Sequence, residues 1–248
     1  MNPMTLELYN SPFSTCSQKT RMCLHEKNLN WVNHHVDLAK FEQLKPEYLA
    51  INPNGVVPTL VHDGVPIVDS SVIIEYLDEA FPKPALSPAE LKQRANMRSW
   101  MRYFEEVPTQ AIRVPTFNAL LAPRLRELSD DKYEAITEAM PVRKQFYRRM
   151  NLKEGGFSAQ DTEDSRQRLR STLERVNDAV KAAEWICGDM FTLADITLMP
   201  TVVRLEDLGL ASMWGDLPGL TAWYRRLQQR PAFAQTYYQG TRIGDVSL

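Results

Sequence analysis

The fold is indicated most clearly by residues 52–68, which read NPNGVVPTLVHDGVPIV. The Asn-Pro-Asn-Gly cluster at the start is a dense turn signal, and it opens onto a mostly apolar run. The Asp63-Gly64 dipeptide then joins this run to a second one, and Asp-Gly between two apolar runs is typical of a tight hairpin turn. The stretch therefore predicts a β-hairpin formed by Val56–His62 and Val65–Val68.

Strand-like and helix-like segments alternate on both sides of this hairpin. The predicted elements before it are, in order, a strand, a helix, a strand and a short helix: Leu6–Tyr9, Ser17–Lys27, Trp31–Leu38 and Phe41–Ala50. After the hairpin, Ser70–Phe81 repeats apolar residues at helical spacing until Pro82 ends the pattern. The order β-α-β, a connecting helix, then β-β-α predicts an α/β layer with a mixed sheet.

The pattern changes after a group of three prolines, Pro82, Pro84 and Pro88. Strand signals largely disappear beyond them, and apolar residues recur at helical spacing. We therefore predict an α/β domain at residues 1–82, a linker at 83–88 and an all-helical domain at 89–248. Residues 124–163 are polar, and their structure is left open by the sequence.

One helix start in the second domain is sharply defined by residues 192–195, Thr-Leu-Ala-Asp. In a capping box of this kind the Thr and Asp side chains bind each other's backbone N–H groups. Phe191 and Ile196 fall at the two positions of a hydrophobic staple. The motif predicts a helix start and requires no catalytic role.

The composition excludes several classes of protein. The 248 residues include 29 Lys and Arg against 31 Asp and Glu, so the formal net charge is −2. This balance lacks the basic face that binds nucleic acid and the polybasic segment that binds anionic membranes. No segment approaches the roughly 18 apolar residues of a membrane span, and the N-terminal residues resemble no secretory signal. Three cysteines predict no disulfide framework, so we expect a cytoplasmic protein.

The four histidines predict no metal site. His34 and His35 are adjacent on a predicted strand and would point to opposite faces, whereas His25 and His62 fall at a helix end and a hairpin turn. The Gly155-Gly156 pair lacks the flanking residues of a nucleotide-binding loop. We therefore expect neither a metal nor a nucleotide cofactor.

Four motifs, taken in order, resemble those of the cytosolic glutathione S-transferase superfamily. They are residues 11–21, SPFSTCSQKTR; residues 52–60, NPNGVVPTL; residues 69–77, DSSVIIEYL; and the capping box at 192–195. The resemblance covers nearly the whole chain. It implies a thioredoxin-like N-terminal domain, an all-helical C-terminal bundle, glutathione as co-substrate, a homodimer and a role in detoxification.

The resemblance also implies the glutathione site residue by residue. Ser14 lies seven residues before Arg21, as does the catalytic Ser of the zeta-type pattern. Val57 precedes the proline, Pro58, that is cis in the family, and Gln43 matches a glutathione-contacting Gln with a looser fit. The acidic-Ser pair that holds the γ-glutamyl end of glutathione in the family corresponds to Asp69 and Ser70.

The proposed role of Ser14 has a physical basis. A cysteine-like thiol has a pKa near 8.5, and lowering it by about two units, worth roughly 2.7 kcal/mol, makes the thiolate dominant at neutral pH. A helix N-terminus supplies partial positive charge, and a Ser hydroxyl adds a hydrogen-bond donor. Ser14 also fits an ordinary helix N-cap. Cys16, in the first predicted helical turn, is the competing chemical residue, and we favour Ser14 because it occupies the position of the Ser classes.

The other glutathione positions carry structural alternatives as well. A cis Val57-Pro58 bond would turn the main chain of Val57 outward, where an extended tripeptide can pair with it as an added strand. The alternative is a proline at the start of an edge strand. Ser70 would cap the third helix and bind a carboxylate, and Asp69 would pair with the tripeptide's ammonium. The alternative is an N-cap pair without a ligand.

The second substrate is the most open part of the prediction. The candidate apolar pocket consists of Phe13, Tyr103, Phe104 and Phe117, with Trp100 beside it. The long polar segment and residues 37–43 resemble the bacterial β-etherase branch, which uses glutathione to displace an aryloxide from lignin-derived ketones. The sequence thus allows a Ser-type transferase for an apolar or aryl electrophile, a β-aryl etherase, a Cys-type thiol transferase and a non-catalytic binding protein.

Overall fold

A computed structural model describes residues 5–243 of the chain. Within them a four-stranded sheet has the order β2-β1-β3-β4, and its strands are β1 (Leu6–Asn10), β2 (Val32–His35), β3 (Thr59–His62) and β4 (Val65–Val68). Strands β1 and β2 are parallel, and the other two pairs are antiparallel. The predicted mixed sheet and hairpin are confirmed.

The sheet departs from the predicted bounds at two strands. Strand β3 begins at Thr59 instead of Val56, because Val57 and Pro58 are joined by a cis bond and leave the ladder. Strand β2 is shorter than the predicted Trp31–Leu38 and ends at His35. Asp37 ends the extended segment, since its carboxylate accepts the Ala39 N–H (2.9 Å) and starts a 3-10 turn.

The three helices of the α/β layer are α1 (Thr15–Glu26), α2 (Pro46–Leu49) and α3 (Ser70–Ala80). The predicted helix over Phe41–Ala50 is wrong in its first half, where two 3-10 turns, Leu38–Lys40 and Glu42–Leu44, precede α2. Phe41 separates the two turns because its φ of 53° lies in the left-handed region, which a continuous helix excludes.

All further helices described lie beyond residue 90, as predicted. They are α4 (Leu91–Glu106), α5 (Pro108–Ala111), α6 (Arg113–Leu120), α7 (Ala122–Leu125), α8 (Asp130–Glu138), α9 (Lys144–Arg148), α10 (Ala159–Val180), α11 (Leu193–Asp207), α12 (Pro218–Gln228) and α13 (Pro231–Thr236). Helix α11 starts at the predicted capping box. In it, the side chains of Thr192 and Asp195 each accept the backbone N–H of the other residue. The buried core of this domain is continuous with that of the sheet domain.

Most of the segment left open by the sequence, residues 124–163, lies in a separate lobe at residues 121–157, made of α7 to α9 and a 3-10 turn at Leu152–Glu154; its last residues begin α10. Its hydrophobic core is shared with α6 and includes Phe117, Tyr147 and Phe157. Pro141 of this lobe reaches the sheet domain, because a Cβ placed on Gly55 would lie only 3.0 Å from Pro141 Cδ. The lobe therefore closes over the loop that leads into Val57.

The segment between the two predicted domains is held in place by Lys27, the C-cap residue of α1. Its ammonium pairs with Asp78 and donates to the carbonyl oxygens of Phe81 (2.8 Å) and Pro84 (2.6 Å). Residues 83–88 stay our proposed linker, and the outer ends of both predicted domains, residues 1–4 and 244–248, lie outside the described residues. Between residues 5 and 243 no helix has the length and apolar character needed to cross a membrane.

Candidate functional site

The loop before α1 is held by two buried arginines that bind its carbonyl groups. Arg21 of α1 donates to the carbonyl oxygens of Ser11 (3.3 Å) and Pro12 (3.0 Å). Arg204 of α11 donates to the carbonyl oxygen of Phe13. Burial lowers the pKa of both arginines. Three successive carbonyls are thus fixed immediately before Ser14, and one of the two donors comes from the helical domain.

Ser14 is the N-cap of α1. Its hydroxyl oxygen accepts the backbone N–H of Ser17 at 3.3 Å, and its own N–H donates to the Ser11 carbonyl at 3.2 Å. Within residues 5–243 its hydroxyl donates no hydrogen bond in return. The capping alternative is therefore realised, and it leaves the hydroxyl proton available to an acceptor at the positive end of the helix.

Cys16 lies in the first turn of α1 and is partly buried. It lines a narrow crevice between the two domains, together with Thr109, Thr197 and Thr201 of the helical domain. Cys23 is fully buried, and burial strongly raises the pKa of its thiol. Cys187 is only partly buried, and burial raises the pKa of its thiol to about 12.

The Val57-Pro58 bond is cis, as the resemblance implied. The preceding carbonyl, that of Val56, accepts from the Tyr48 hydroxyl (2.7 Å) and from the Asn52 amide (2.8 Å). The main-chain N–H and C=O of Val57 have no partner among the described residues. The loop is thus fixed by its neighbours while one peptide-like donor and acceptor stay free for pairing.

Asp69, not Ser70, caps the third helix. The Asp69 carboxylate accepts the N–H groups of Ser71 (2.8 Å) and Val72 (3.2 Å), whereas the Ser70 hydroxyl accepts from the Lys19 ammonium (3.0 Å). The expectation that Ser70 would be the cap is wrong because Ser70 already has helical geometry. Asp69 has a φ of 73°, in the left-handed region that few non-glycine residues adopt.

A buried charge cluster below Ser70 escaped the sequence reasoning. Lys19 of α1, only 2% exposed, pairs with Glu105 of α4 and also donates to Ser71 Oγ (3.1 Å). Ser71 Oγ in turn donates to Glu105 at 2.8 Å. Burial lowers the pKa of Lys19, but the Glu105 carboxylate outweighs it and the net direction is upward. Burial raises the pKa of Glu105, and Lys19 reverses this, so the net direction is downward. Both groups are therefore charged.

Gln43 lies on the second 3-10 turn and is 6% exposed. Its amide oxygen is buried and has no hydrogen-bond partner within residues 5–243. A buried amide oxygen without a donor is unfavourable by about 1–3 kcal/mol. The Gln43 amide oxygen therefore lacks an N–H donor, and a peptide ligand is one source of such a donor.

The predicted aromatic pocket is not assembled as a unit. Phe13 is partly buried beside Ser14, and the Tyr103 hydroxyl hydrogen-bonds Thr172 (3.0 Å). Phe104 has no exposed surface, so it lines no open pocket. Phe117 packs in the core of the lobe. The helical spacing of these aromatic residues did not reveal that Phe104 and Phe117 pack in two different hydrophobic cores.

Three long-range partners of the site carry no local sequence signal. Lys19 and Glu105 are 86 residues apart, and Arg204 is 191 residues from the carbonyl that it binds. Of the charged residues that hold the site, only Arg21 can be recognised in the sequence, by its spacing of seven residues from Ser14. No group of three His, Cys, Asp or Glu side chains in the described part of the chain is placed to hold a metal ion.

A mixed four-stranded sheet, an unpaired Val57 main chain beside a cis proline, and a hydroxyl at a helix N-terminus are together expected of the N-terminal domain of a glutathione S-transferase. Family models agree: the N-terminal domain of glutathione S-transferases matches residues 8–85, and the C-terminal domain matches residues 158–226. The chain belongs to the glutathione S-transferase family and is a glutathione transferase.

Individual relatives extend the comparison over the whole chain. The chain is 29% identical to Protein LigF of Sphingobium sp. strain SYK-6, covering 96% of this chain and 95% of the relative. The crystal structure of the β-etherase LigF superposes with a TM-score of 0.84, covering 94% of this chain and 98% of the other. The tetrachloro-p-hydroquinone reductive dehalogenase of Sphingobium chlorophenolicum is 27% identical, covering 92% of this chain and 94% of the relative.

Proposed function

We propose that Ser14 activates the thiol of bound glutathione for attack on an apolar or aryl electrophile. The hydroxyl donates a hydrogen bond to the sulfur and so favours the thiolate over the thiol. The proton leaves to solvent, the sulfur forms a bond to carbon, and the leaving group departs with the electron pair of the broken bond. Ser14 forms no covalent bond in this scheme.

The observation that carries the proposal is the hydrogen bonding of the Ser14 hydroxyl. Its oxygen accepts the Ser17 N–H, while the hydroxyl proton has no acceptor among the described residues. An oxygen that already accepts a hydrogen bond is a better donor, because chained hydrogen bonds polarise one another. The fixed loop carbonyls hold this hydroxyl in one position, which lowers the reorganisation needed when charge develops on sulfur.

The remaining predicted residues supply a site for an extended tripeptide. The Val57 main chain pairs with the backbone of the tripeptide beside Pro58, and Gln43 contributes its unpaired amide oxygen. Asp69 holds the ammonium of the γ-glutamyl end, and the Ser70 hydroxyl holds the adjacent carboxylate. The Ser70 hydroxyl oxygen accepts from Lys19, so its own proton stays available to that carboxylate.

The test measures the pKa of the enzyme-bound glutathione thiol by thiolate absorbance in wild type, Ser14→Ala and Cys16→Ala. We expect Ser14→Ala to raise this pKa by about two units and to lower kcat/KM with an aryl halide by about 10²–10³-fold. Cys16→Ala should change this pKa by less than about 0.5 units and kcat/KM by less than about threefold. Calorimetric titration of glutathione serves as the binding control for each variant.

A Cys-type thiol transferase predicts the opposite dependence. Turnover would then require Cys16, would proceed through a mixed disulfide with glutathione and would survive Ser14→Ala. Mass spectrometry of the protein after incubation with a glutathione mixed disulfide detects that intermediate. Loss of turnover in Cys16→Ala together with full activity in Ser14→Ala would refute the role of Ser14.

A β-aryl ether ketone is the second candidate substrate, and the likeness to LigF over 96% of the chain favours it. The thiolate would attack the carbon beside the carbonyl and release an aryloxide, so a glutathione thioether and a phenol form in equal amounts. Liquid chromatography of both products tests this reaction. Phenol release without the thioether, or neither product, would argue for another electrophile.

A homodimer is the assembly we propose from the family resemblance. Val65 on β4 and Val72 on α3 are 63% and 53% exposed and offer apolar surface at one edge of the sheet domain. Sedimentation analysis with Val65→Lys and Val72→Lys tests it, since a charge at the interface should shift the species to the monomer. We further propose the cytoplasm as its location, in keeping with three unpaired cysteines.

A further inference from the structure

Phe41 lies between two 3-10 turns of the sheet domain, Leu38–Lys40 and Glu42–Leu44, and its φ of 53° is in the left-handed region. Few non-glycine residues adopt this conformation, because the Cβ then lies too close to backbone atoms. A residue in such a conformation persists only where its surroundings hold it there. The contacts of Phe41 therefore help to fix the second turn, which carries Gln43.

These contacts come from the lobe at residues 121–157. The side chain of Phe41 packs against the hydrophobic core of the lobe, and so does that of Leu44. The two residues stand at the ends of the same turn, since the Leu44 N–H donates to the Phe41 carbonyl at 3.0 Å. Gln43 lies between them in the chain and is buried. The turn is thus held against the lobe on both sides of Gln43.

The lobe meets the loop that leads to Val57 at a neighbouring point. Gly55 of this loop lies against both Pro141 of the lobe and Leu44 of the turn. A Cβ placed on Gly55 would be 3.0 Å from Pro141 Cδ and 3.1 Å from Leu44 Cδ2. The lobe therefore touches both the turn and the loop, which carry two of the predicted glutathione positions.

The polar contacts of the turn are local and exposed. Glu42 accepts the Asp37 N–H at 2.9 Å and pairs with Lys45 three residues further on. Exposed ion pairs of this kind contribute little to stability. The Gln43 amide oxygen accepts no hydrogen bond in the part of the chain that the structure describes. Apolar packing on the lobe is therefore the contact with a distant part of the chain that fixes Gln43.

We propose that the lobe completes the glutathione site by holding this turn, and that Phe41 is the positioning residue that couples the two. The inference rests on the proposed function and adds a regulation of the same site. An ordered lobe favours glutathione binding, and bound glutathione orders the lobe. The two effects are equal in free energy, because coupling between two sites is reciprocal. Neither family model extends over residues 121–157, so the family pattern assigns the lobe no role.

The first test is hydrogen exchange of residues 121–157 with and without saturating glutathione. We expect glutathione to slow exchange in the lobe of wild type by roughly tenfold, and to have no such effect in Gln43→Met or Phe41→Gly. Glycine adopts the left-handed conformation without strain, so Phe41→Gly keeps the turn geometry available and removes the packing. A purely structural contact would instead loosen the lobe equally with and without glutathione.

The second test is a double-mutant cycle measured by calorimetric titration of glutathione. Phe41→Gly should weaken binding by roughly five- to tenfold, and by less than about twofold when Gln43→Met is already present. Ser70→Ala is the matched background, because Ser70 starts α3 and its hydroxyl bonds to Lys19. In that background the effect of Phe41→Gly should keep its full size.

Two milder variants keep the test independent of folding defects, which circular dichroism monitors. Phe41→Leu retains an apolar side chain and should restore most of the affinity lost in Phe41→Gly. Pro141→Ala, on the lobe side, should reproduce the same Gln43-dependent loss in weaker form. Equal effects of Phe41→Gly with and without Gln43→Met would overturn the inference. So would unchanged exchange of the lobe in wild type that binds glutathione. Failure of wild type to bind glutathione at all would overturn the proposed function itself.

Discussion

Arg204 donates a hydrogen bond to the carbonyl oxygen of Phe13 and so connects α11 to the residue before Ser14. The same helix begins at the capping box, where Asp195 accepts from Trp223 Nε1 at 2.8 Å and is fully buried. Asp195 thus fixes the start of α11, and Arg204, nine residues further along the same helix, binds the loop before Ser14. The helical domain therefore helps to place the hydroxyl that we assign to the chemistry.

The first prediction removes this connection. Arg204→Gln shortens the side chain and leaves the Phe13 carbonyl without its charged donor, which should cost about 1–3 kcal/mol of stability. Because the loop loses one of its two arginines, kcat/KM should fall by roughly tenfold or more. Urea unfolding and steady-state kinetics measure the two effects. Arg225→Gln, at an exposed position of α12, is the control and should change stability by less than about 0.5 kcal/mol. Unchanged kinetics in Arg204→Gln would show that Arg21 alone holds the loop.

The second prediction concerns Gln43, whose buried amide oxygen lacks a donor. Gln43→Met keeps the shape of the side chain and removes the unsatisfied group, so the ligand-free protein should become more stable by about 1 kcal/mol. Glutathione affinity should fall by roughly five- to tenfold, because the amide contact is lost. Thermal unfolding with and without glutathione measures both the gain in ligand-free stability and the loss of glutathione affinity on one sample. A loss of stability in the ligand-free protein would show that Gln43 has a structural role instead.

The sequence predicts most of the sheet domain because its signals are local. The Asp63-Gly64 turn, the proline that ends α3 and the capping box each act within a few residues, and each is found where the pattern places it. The bounds failed at Phe41 and at Val57, where single residues leave the regular conformation. Backbone states of that kind are decided by packing and are not visible as periodicity.

The sequence predicts only those residues of the candidate site that belong to a recognisable motif. Ser14, Val57 and Asp69 occupy motif positions; the structure places Ser14 and Asp69 at helix starts and Val57 two residues before β3. Lys19, which pairs with a residue 86 positions away, has no signal in the sequence because its partner is set by helix packing. The lobe was left open for a related reason, since its helices of four to nine residues are too short to show a clear period.

The third prediction uses pH to test the pair formed by Lys19 and Glu105. The pKa of Glu105 is lowered from its ordinary value of 4.5 in the folded protein, so it stabilises the fold above about pH 4.5 and loses that contribution on acidification. Glu105→Gln keeps an acceptor for Ser71 but leaves Lys19 without its counter-charge. We expect a loss of about 2–3 kcal/mol near neutral pH, below the value for a fully buried pair because Glu105 is 28% exposed.

Denaturant unfolding across the acidic range measures this difference between wild type and Glu105→Gln. The difference should be constant from about pH 6 to 8 and should shrink as the pH falls below about 4.5. Glu106→Gln, the exposed neighbour, is the matched control and should show no such trend. A difference that stays constant down to about pH 3 would mean that the carboxylate charge contributes nothing and that packing explains the loss.

The fourth prediction tests whether the lobe is anchored to the glutathione loop through Gly55. Gly55 has a φ of +59°, and an added Cβ would lie 3.0 Å from Pro141 Cδ and 3.1 Å from Leu44 Cδ2. Gly64 provides the control, because it has a φ of +82° and nothing within 4 Å of such a Cβ. Gly64→Ala should cost only backbone strain, about 1 kcal/mol, whereas Gly55→Ala should cost about 2–4 kcal/mol through overpacking as well.

A double variant separates these two contributions. Gly55→Ala combined with Pro141→Ala removes the close contact, so it should recover the overpacking part and leave a deficit near that of Gly64→Ala, beyond the separate cost of Pro141→Ala. Hydrogen exchange should report faster opening of residues 121–157 in Gly55→Ala and normal protection in Gly64→Ala, because only the first change displaces the lobe. Equal stability losses in the two single variants, with unchanged exchange in the lobe, would show that Pro141 yields without effect and that the lobe is anchored by other contacts.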